Sequence, residues 1–395
     1  MVDVREFLRT HSVEELNRSA EEYFARITDW TYLLAKPFAA PEDCAKLLIE
    51  FWATLLGLDV CATMEVLDFG PGSCWSSHFL TQMGCKVYAC DISASALEIG
   101  KARYQRHPPF GNQPAPEFLV YDGYRFPLPD KSVDRVLCMH ALHHVPNVSQ
   151  VIGEMSRVLR DSGLAAFTEP GPDHSRDPVS QRELTDGVLE NDIVMEDIWR
   201  WARDAGFQRL ELTVFPIERV SFSLENYERF VAGDPQPGRT VLEPIRKHAS
   251  ATRTFFLYKE ADTTLWSTSI RGLGAELDVQ ISGSKFSSGV IPAQVTVRNT
   301  GQATWLQAGG GAGSVRLGYH LRNLQTGEYN HDYGRAELNA ANRPIPPGES
   351  VSLPVDISAP APGTYELTLD LVSELVCWFA DQGRSRAVSF RIEVT

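Results

Sequence analysis

No stretch of the 395 residues is both long and apolar. The longest apolar region, about 44–64, is interrupted by Lys46, Glu50 and Asp59. It falls short of the roughly 20 consecutive apolar residues that a membrane-spanning helix needs. The chain opens Met1-Val2-Asp3-Val4-Arg5-Glu6, with charges where a secretory leader carries its apolar core. A cytoplasmic location is therefore expected. Cations are scarce: 37 Lys and Arg against 51 Asp and Glu, a formal charge of −14. Nucleic-acid backbones and anionic membranes need clustered Lys and Arg, so neither is expected as the main partner. Cysteine is sparse as well. The seven are odd in number, share no repeated spacing and sit mostly in apolar runs, which suits reduced core thiols better than disulfides or zinc ligands. There is no internal repeat.

What is present is ordinary globular material, 43% apolar and 22% charged, in a length that suits two or three domains. The organising stretch is Val66-Leu67-Asp68-Phe69-Gly70-Pro71-Gly72-Ser73-Cys74-Trp75. A short apolar run ends in an acid, two glycines follow at i and i+2, and a helix begins. Such a turn brings backbone close to a ligand, since glycine has no Cβ to clash, and the helix N-terminus adds unpaired N–H donors.

Ahead of it, residues 1–38 read as amphipathic helix with interleaved aromatics. Pro41-Glu42-Asp43 opens a helix whose buried face is Leu47, Leu48, Phe51, Leu55 and Leu58. After it, strands and helices alternate. Strands are expected at about 64–68, 86–91, 117–122, 133–139 and 164–169, then at 207–216 and 252–260. Helices are expected at about 74–83, from Ser93, at 147–160 and over a long stretch 178–205. This order predicts an α/β fold, a doubly wound parallel sheet with helices on both faces. Ligands of such sheets bind outside the carboxyl ends of the strands, where Asp68, Asp91, Asp122 and Glu169 fall.

The texture changes near residue 262. Short alternating runs take over at 276–282, 291–298, 315–322, 350–357, 363–371 and 386–394. Turn signals separate them, among them Asn299-Thr300-Gly301, a glycine run at 309–313 and Pro346-Pro347-Gly348. An all-β immunoglobulin-like sandwich of about seven antiparallel strands is predicted for 270–395.

Against the dinucleotide fingerprint G-x-G-x-x-G, the third glycine is missing and Trp75 stands in its place. Asp68 precedes the glycines. Asp91 lies 19 residues past Gly72 at a strand end, suited to a ribose diol. Asp122, followed by Gly123, is suited to an adenine amino group. An amino-acid head group, a ribose and an adenine read by three strand ends describe S-adenosylmethionine. With these motifs, and with Phe126-Pro127-Leu128-Pro129-Asp130-Lys131-Ser132-Val133-Asp134 and Arg157-Val158-Leu159-Arg160-Asp161-Ser162-Gly163-Leu164, residues 1–260 resemble the class I S-adenosylmethionine-dependent methyltransferases. The resemblance implies a seven-stranded sheet whose last strand, about 252–260, is antiparallel beside the fifth. It also implies that Asp68, Gly70 and Gly72 line the methionine end of the cofactor, Asp91 the ribose and Asp122 the adenine, with Phe69, Pro71, Ser73, Trp75, Ile92 and Gly123 also in the cofactor site. His140 would touch cofactor or substrate.

Methyl transfer from a sulfonium needs alignment of the incoming lone pair, and a hydroxyl acceptor also profits from a base. The candidates are His143 and His144 after the fourth strand, then Glu169, Asp173 and His174 after the fifth. Glu190 and Asp192 join from the stretch that follows. Two adjacent histidines cannot share a direction, so His143 and His144 should differ in role. A divalent metal held by three histidines and Glu169 is conceivable, but the spacing matches no metal motif and none is expected. The aromatics of 23–38, with Lys36, suggest a helical cap or lid within residues 1–60.

The C-terminal half carries no catalytic constellation. Its aromatics, Trp305, Tyr319, Tyr329, Tyr333, Tyr365, Trp378 and Phe379, are mostly expected as core, although exposed rings could stack on sugars. This half weakly resembles sandwiches appended to bacterial polysaccharide proteins. The joint expectation is a methyltransferase domain at 1–262 with a substrate- or partner-binding sandwich, O-methylating a sugar hydroxyl of a bacterial glycan. Alternatives are a small-metabolite methyltransferase that uses the sandwich for homodimerisation, and a non-catalytic glycan-binding scaffold.

Overall fold

The computed structural model of the protein describes residues 1–62, 64–111, 113–261, 265–287, 289–307, 311–338 and 343–395. The chain divides into two compact units, one of Met1–Val60 with Met64–Asp262, the other of Cys61–Thr63 with Thr263–Thr395. The change of texture near residue 262 and part of the glycine run at 309–313 fall outside the described residues.

The first unit holds a seven-stranded sheet. Its strands are β1 (Glu65–Phe69), β2 (Lys86–Asp91), β3 (Glu117–Val120), β4 (Val133–Met139), β5 (Leu159–Pro170), β6 (Arg209–Thr213) and β7 (Thr252–Tyr258), in the order β3-β2-β1-β4-β5-β7-β6. β1 to β5 pair in parallel, and β7 runs antiparallel to both β5 and β6. The sheet and its antiparallel seventh strand are therefore as expected. Side chains alternate across it. Leu67 and Phe69 of β1 join Val136, Cys138, Phe167 and Phe255 in the main core, while Asp68 points to the other face. The strand order reverses between β1 and β4, which opens a crevice at their carboxyl ends.

Two helices near the crevice carry side-chain caps. α2 (Val13–Ala25) starts with a full Ser12/Glu15 capping box, and α6 (Ala94–Arg106) is capped by Ser93. The N-terminal segment forms three helices, with α1 (Val4–Thr10) before α2 and α3 (Thr31–Ala35) after it. α2 is tied to the start of α6 through Glu21, which accepts from the Ser93 and Ser95 hydroxyls at 2.6 and 2.5 Å. α4 (Pro41–Leu58) and α5 (Trp75–Gln82) complete this face. α7 (Val148–Val158) lies on the other face and ends two residues earlier than expected.

One expected helix does not exist as such. The stretch 178–205 is two helices, α8 (Pro178–Thr185) and α9 (Met195–Asp204). Gly187 turns left-handed at φ +88°, and the following residues leave helical geometry to bury Glu190 under the histidines of the β4 loop. α10 (Leu224–Val231) and α11 (Pro235–Ala251) fill the interval before β7.

The second unit is β throughout its main elements. Strands 275–281, 290–299 and 350–358 form one sheet; 315–323, 329–337, 363–373 and 388–394 form the larger part of another. Alternate residues of both, such as Val295, Val297, Leu317, Leu367, Leu369 and Ile392, make one core with Trp305 and Phe379. Among the described residues, the long strands pair antiparallel, and short parallel pairings join Lys285–Phe286 with Glu393–Val394 and Ala303–Thr304 with Leu265–Trp266. Strand Tyr329–Glu337 was not anticipated. It lies at the sheet edge with half of its residues exposed, so its sequence lacks apolar alternation. Among the described residues, no helix is long and apolar enough to cross a membrane.

Candidate active site

A cavity of about 320 Å³ opens at the carboxyl ends of β1, β2 and β4. The glycine turn forms its floor. Gly70 (φ +63°) and Gly72 (φ +51°) both adopt left-handed backbone, which only glycine reaches at little cost. A Cβ on Gly70 would also sit 2.4 Å from the Ala141 Cβ, so the β4 loop closes directly against the turn. Asp91 fastens the turn from the neighbouring strand. Its Oδ2 accepts from Gly72 N at 3.1 Å and its Oδ1 from Ser93 N at 2.9 Å. Asp68 Oδ2 accepts from the hydroxyls of Ser76 and Ser77 at 2.8 and 2.6 Å. Both carboxyls are buried, and burial pushes each up to about 6 despite these donors. Two acids so placed favour a cationic ligand beside them.

Asp68, Phe69, Gly70, Pro71, Gly72, Ser73 and Trp75 all border the cavity, as do Asp91, Ile92, His140 and His144. Asp122 and Gly123 are not on the wall. Asp122 lies exposed past the end of β3, with Oδ1 accepting from Tyr124 N and Arg125 N. Asn17 of α2 crowds Gly123: a Cβ there would meet its Nδ2 at 2.1 Å. Tyr121 and Asn17 occupy the wall at that end instead.

The N-terminal helices supply the opposite wall through Leu16, Ala20, Tyr23, Phe24, Leu33 and Lys36. Arg103 of α6 binds them to the glycine turn. Its guanidinium donates to Ser73 O at 2.8 Å, Leu33 O at 2.7 Å and Lys36 O at 3.0 Å. Of the expected cap aromatics, Tyr23 and Phe24 reach the cavity, whereas Tyr32 and Phe38 are exposed.

The proposed catalytic cluster resolves into different environments. Glu169 is fully buried and off the cavity wall. Its Oε1 accepts from Ala141 N and Leu142 N, both at 2.9 Å, and its Oε2 accepts from His143 Nδ1 at 2.7 Å. Burial alone would raise this acid, but His143 and the backbone donors outweigh it and hold it at about 2. Glu169 thus holds the 140–144 loop from behind and is turned to that loop, away from the cavity wall. His143 is buried, and burial lowers it to about 4. It is a neutral imidazole donating through Nδ1. His174 is likewise off the wall and meets Glu190 Oε2 at 2.6 Å.

His144 does line the cavity. Its ring lies tilted against His143, with centroids 3.9 Å apart, yet its Nδ1 meets Leu189 O at 2.7 Å. A carbonyl only accepts, so Nδ1 carries the proton and Nε2 at the ring tip carries the lone pair. The adjacent histidines thus differ in setting, as their spacing required. His140, strained at φ +51°, also reaches the wall, but its Nε2 meets Glu50 Oε2 at 2.8 Å. That leaves only Nδ1, close to its own backbone.

Site residues that escaped the sequence reading include Asn17, Arg103 and Tyr121 above, and also Glu50 and Glu183. Glu50 is fully buried beneath His140. Its one available signal, a charge inside the apolar stretch of α4, reads as a mere interruption. Glu183 of α8 lines the cavity, and burial together with the neighbouring Glu190 pushes it up. Nothing in the sequence flags it. Glu190 itself is held down, as the imidazoles of His174 and His144 overcome its burial.

Residues 67–167 match the family described as "Methyltransferase domain". Relatives include the methyltransferase GfsG of Streptomyces halstedii, 32% identical over 113 residues, covering 28% of this chain and 40% of that protein. A demethylmenaquinone methyltransferase of Streptomyces griseus subsp. griseus is 26% identical over 121 residues, covering 30% of this chain and 49% of that protein. The chain thus spans less than half the length of these curated relatives. Among solved structures, phosphoethanolamine N-methyltransferase 2 of Haemonchus contortus in complex with S-adenosyl-L-methionine superposes at TM-score 0.41 and 16% identity, covering 66% of this chain and 60% of that one.

Proposed function

We propose that this chain, in which residues 67–167 belong to the methyltransferase domain family, is an S-adenosylmethionine-dependent methyltransferase. The carrying observation is the left-handed glycine turn at the crevice, fastened by Asp91 and flanked by a second buried acid. When bound, the cofactor supplies an electrophilic methyl group on a positively charged sulfur. Asp91 would accept from the ribose hydroxyls through the remaining lone pairs of its carboxylate. Asp68 would lie at the methionine end, and Ile92 and Tyr121 at the adenine.

This electrostatic design gives a pH prediction. Asp68 and Asp91, raised to about 6 without ligand, must ionise to hold a cation. Cofactor affinity is expected to rise between pH 5 and 7 by roughly tenfold in all for each carboxyl, most of it between 5 and 6, and to level off above 7. Calorimetry at several pH values checks this; an affinity flat from pH 5 to 8 contradicts it.

We further propose O-methylation of a sugar hydroxyl on a bacterial glycan, in the cytoplasm, with His144 Nε2 accepting the hydroxyl proton. Methyl transfer to oxygen benefits from such an acceptor. His144→Ala is expected to lower kcat by roughly 100-fold while leaving the cofactor Kd within about twofold. Equal loss of both refutes the assignment. The C-terminal β unit would recognise the glycan. In support, Trp378 packs against His320 and His331 beside exposed Tyr329, with the Arg335 guanidinium 4.5 Å from the Trp378 ring. Rings of this kind stack on sugars. The full chain is expected to bind a subset of a bacterial glycan array, and Trp378→Ala to lose that binding. A blank array would leave the glycan reading without support and favour a small-metabolite acceptor.

A further inference from the structure

Beneath the cavity wall, three side chains converge from separate segments: His143 from the β4 loop, His174 from the turn after β5, and Glu190 from the break between α8 and α9. One ligand atom of each lies within 4.8 Å of the others. His174 Nε2 is 2.6 Å from Glu190 Oε2, and His143 Nε2 is 4.0 Å from the same oxygen. We propose that His143, His174 and Glu190 bind one divalent first-row transition-metal ion of the zinc class. This inference is independent of the methyl-donor reading, since none of the three borders the cavity.

Three features support it. The first is ligand orientation. Glu169 accepts the Nδ1 proton of His143, so the Nε2 lone pair faces Glu190 and His174. A carboxylate behind a histidine in this way fixes the tautomer and raises the donor strength of a metal ligand. The second is a local excess of acid. Glu183, half-buried on the cavity wall, sets a second carboxylate beside the buried Glu190. Such a pair needs a shared proton or a cation. The third is a scaffold that holds the separated segments in place. Asn191 N donates to His143 O at 2.8 Å. Ser175 N donates to Asp192 Oδ1 at 2.8 Å, and the Ser175 hydroxyl to Asp192 Oδ2 at 3.0 Å. Each histidine is thereby anchored to the segment that carries Glu190.

The donor set selects the ion. Two imidazoles with one carboxylate suit zinc, cobalt, nickel, manganese or iron, whereas magnesium and calcium favour all-oxygen shells. Tetrahedral zinc with bonds near 2.0–2.1 Å sets its donors roughly 3.3 Å apart. Reaching that spacing needs His174 and Glu190 to open, and His143 and Glu190 to approach, each by roughly 0.7 Å, with the two imidazoles closing from within 4.8 Å of each other. On binding, the cation takes the place of the proton between His174 Nε2 and Glu190: a neutral ring moves that proton to Nδ1, and a charged ring releases it to solvent. The ion would pin the 186–194 segment, including the wall residues Val188 and Leu189, beneath the 140–144 loop.

The test is Co(II) titration of the metal-free full chain, followed by visible absorption. One Co(II) per chain is expected, displaced by one equivalent of Zn(II). His174→Ala and Glu190→Gln, with circular dichroism matching the wild type, are expected to weaken binding by at least about 100-fold, and His107→Ala to leave it unchanged. In the wild type, saturating Zn(II) should also protect His174 from diethylpyrocarbonate, read by mass spectrometry, a result that needs no variant. The proposal is overturned if millimolar Co(II) gives no saturable band, if binding survives in both variants, or if Zn(II) leaves His174 modification unchanged.

Discussion

Asp91→Ala is expected to weaken S-adenosylmethionine binding by about 2–4 kcal/mol, roughly 30- to 700-fold, without lowering thermal stability to match. Two losses add. The ribose loses its charged acceptor, and the glycine turn loses the oxygen that holds Gly72 N. Stability behaves differently because the carboxyl is fully buried and its pKa is raised. A raised carboxyl favours the fold below its unfolded value and costs stability as pH climbs through the folded value. Above pH 6 that cost is on the order of 3 kcal/mol. Alanine removes the cost while leaving Gly72 N and Ser93 N without their acceptor, and the two effects roughly offset. Asp91→Asn retains one acceptor oxygen and should fall between. Calorimetry with a parallel melting curve separates the cases. A variant that binds like the wild type contradicts the ribose assignment; one that loses binding only by unfolding shows a structural role.

Glu169→Ala is expected to be the most destabilising single change at the site. It strips the acceptor from the backbone donors of Ala141 and Leu142 and from the His143 ring, all buried. Each orphaned donor costs about 1–3 kcal/mol, so a total near 5 kcal/mol follows. That is a large share of the roughly 5–15 kcal/mol that a domain has. Melting should fall by about 10–20 °C, and Glu169→Gln, which keeps one acceptor oxygen, by less. Activity should fall with it, since the 140–144 loop carries His140 and His144. A melting temperature within a few degrees of the wild type contradicts this assignment.

These two acids mark how far the sequence could be read. Asp91 was legible because its place follows from chain order: a short strand, an acid at its end, a glycine turn 19 residues earlier. Period and punctuation carry such information, and they delivered all seven strands of the first sheet. Glu169 carried the same strand-end signature but a different task. Whether an acid faces ligand or backbone depends on which N–H groups a distant loop brings to it, and here that loop arrives from residues 141–143. Asp122 lies off the cavity wall for the converse reason. Its place at a strand end was right, but the next residues turn back onto it, and α2 from the far N-terminus takes the wall through Asn17. The stretch 178–205 kept a helical composition across Gly187, so the break that buries Glu190 left little trace. In the second unit, alternation revealed the inner strands and missed the edge strand 329–337, which has almost no buried side to alternate with.

The central claim is that the crevice between β1, β2 and β4 holds S-adenosylmethionine. Isothermal titration of the full chain with the cofactor tests it most directly. One site per chain with a micromolar dissociation constant is predicted, lost in Asp91→Ala. No detectable heat at millimolar cofactor, from protein whose circular dichroism shows the mixed α/β fold, would contradict it.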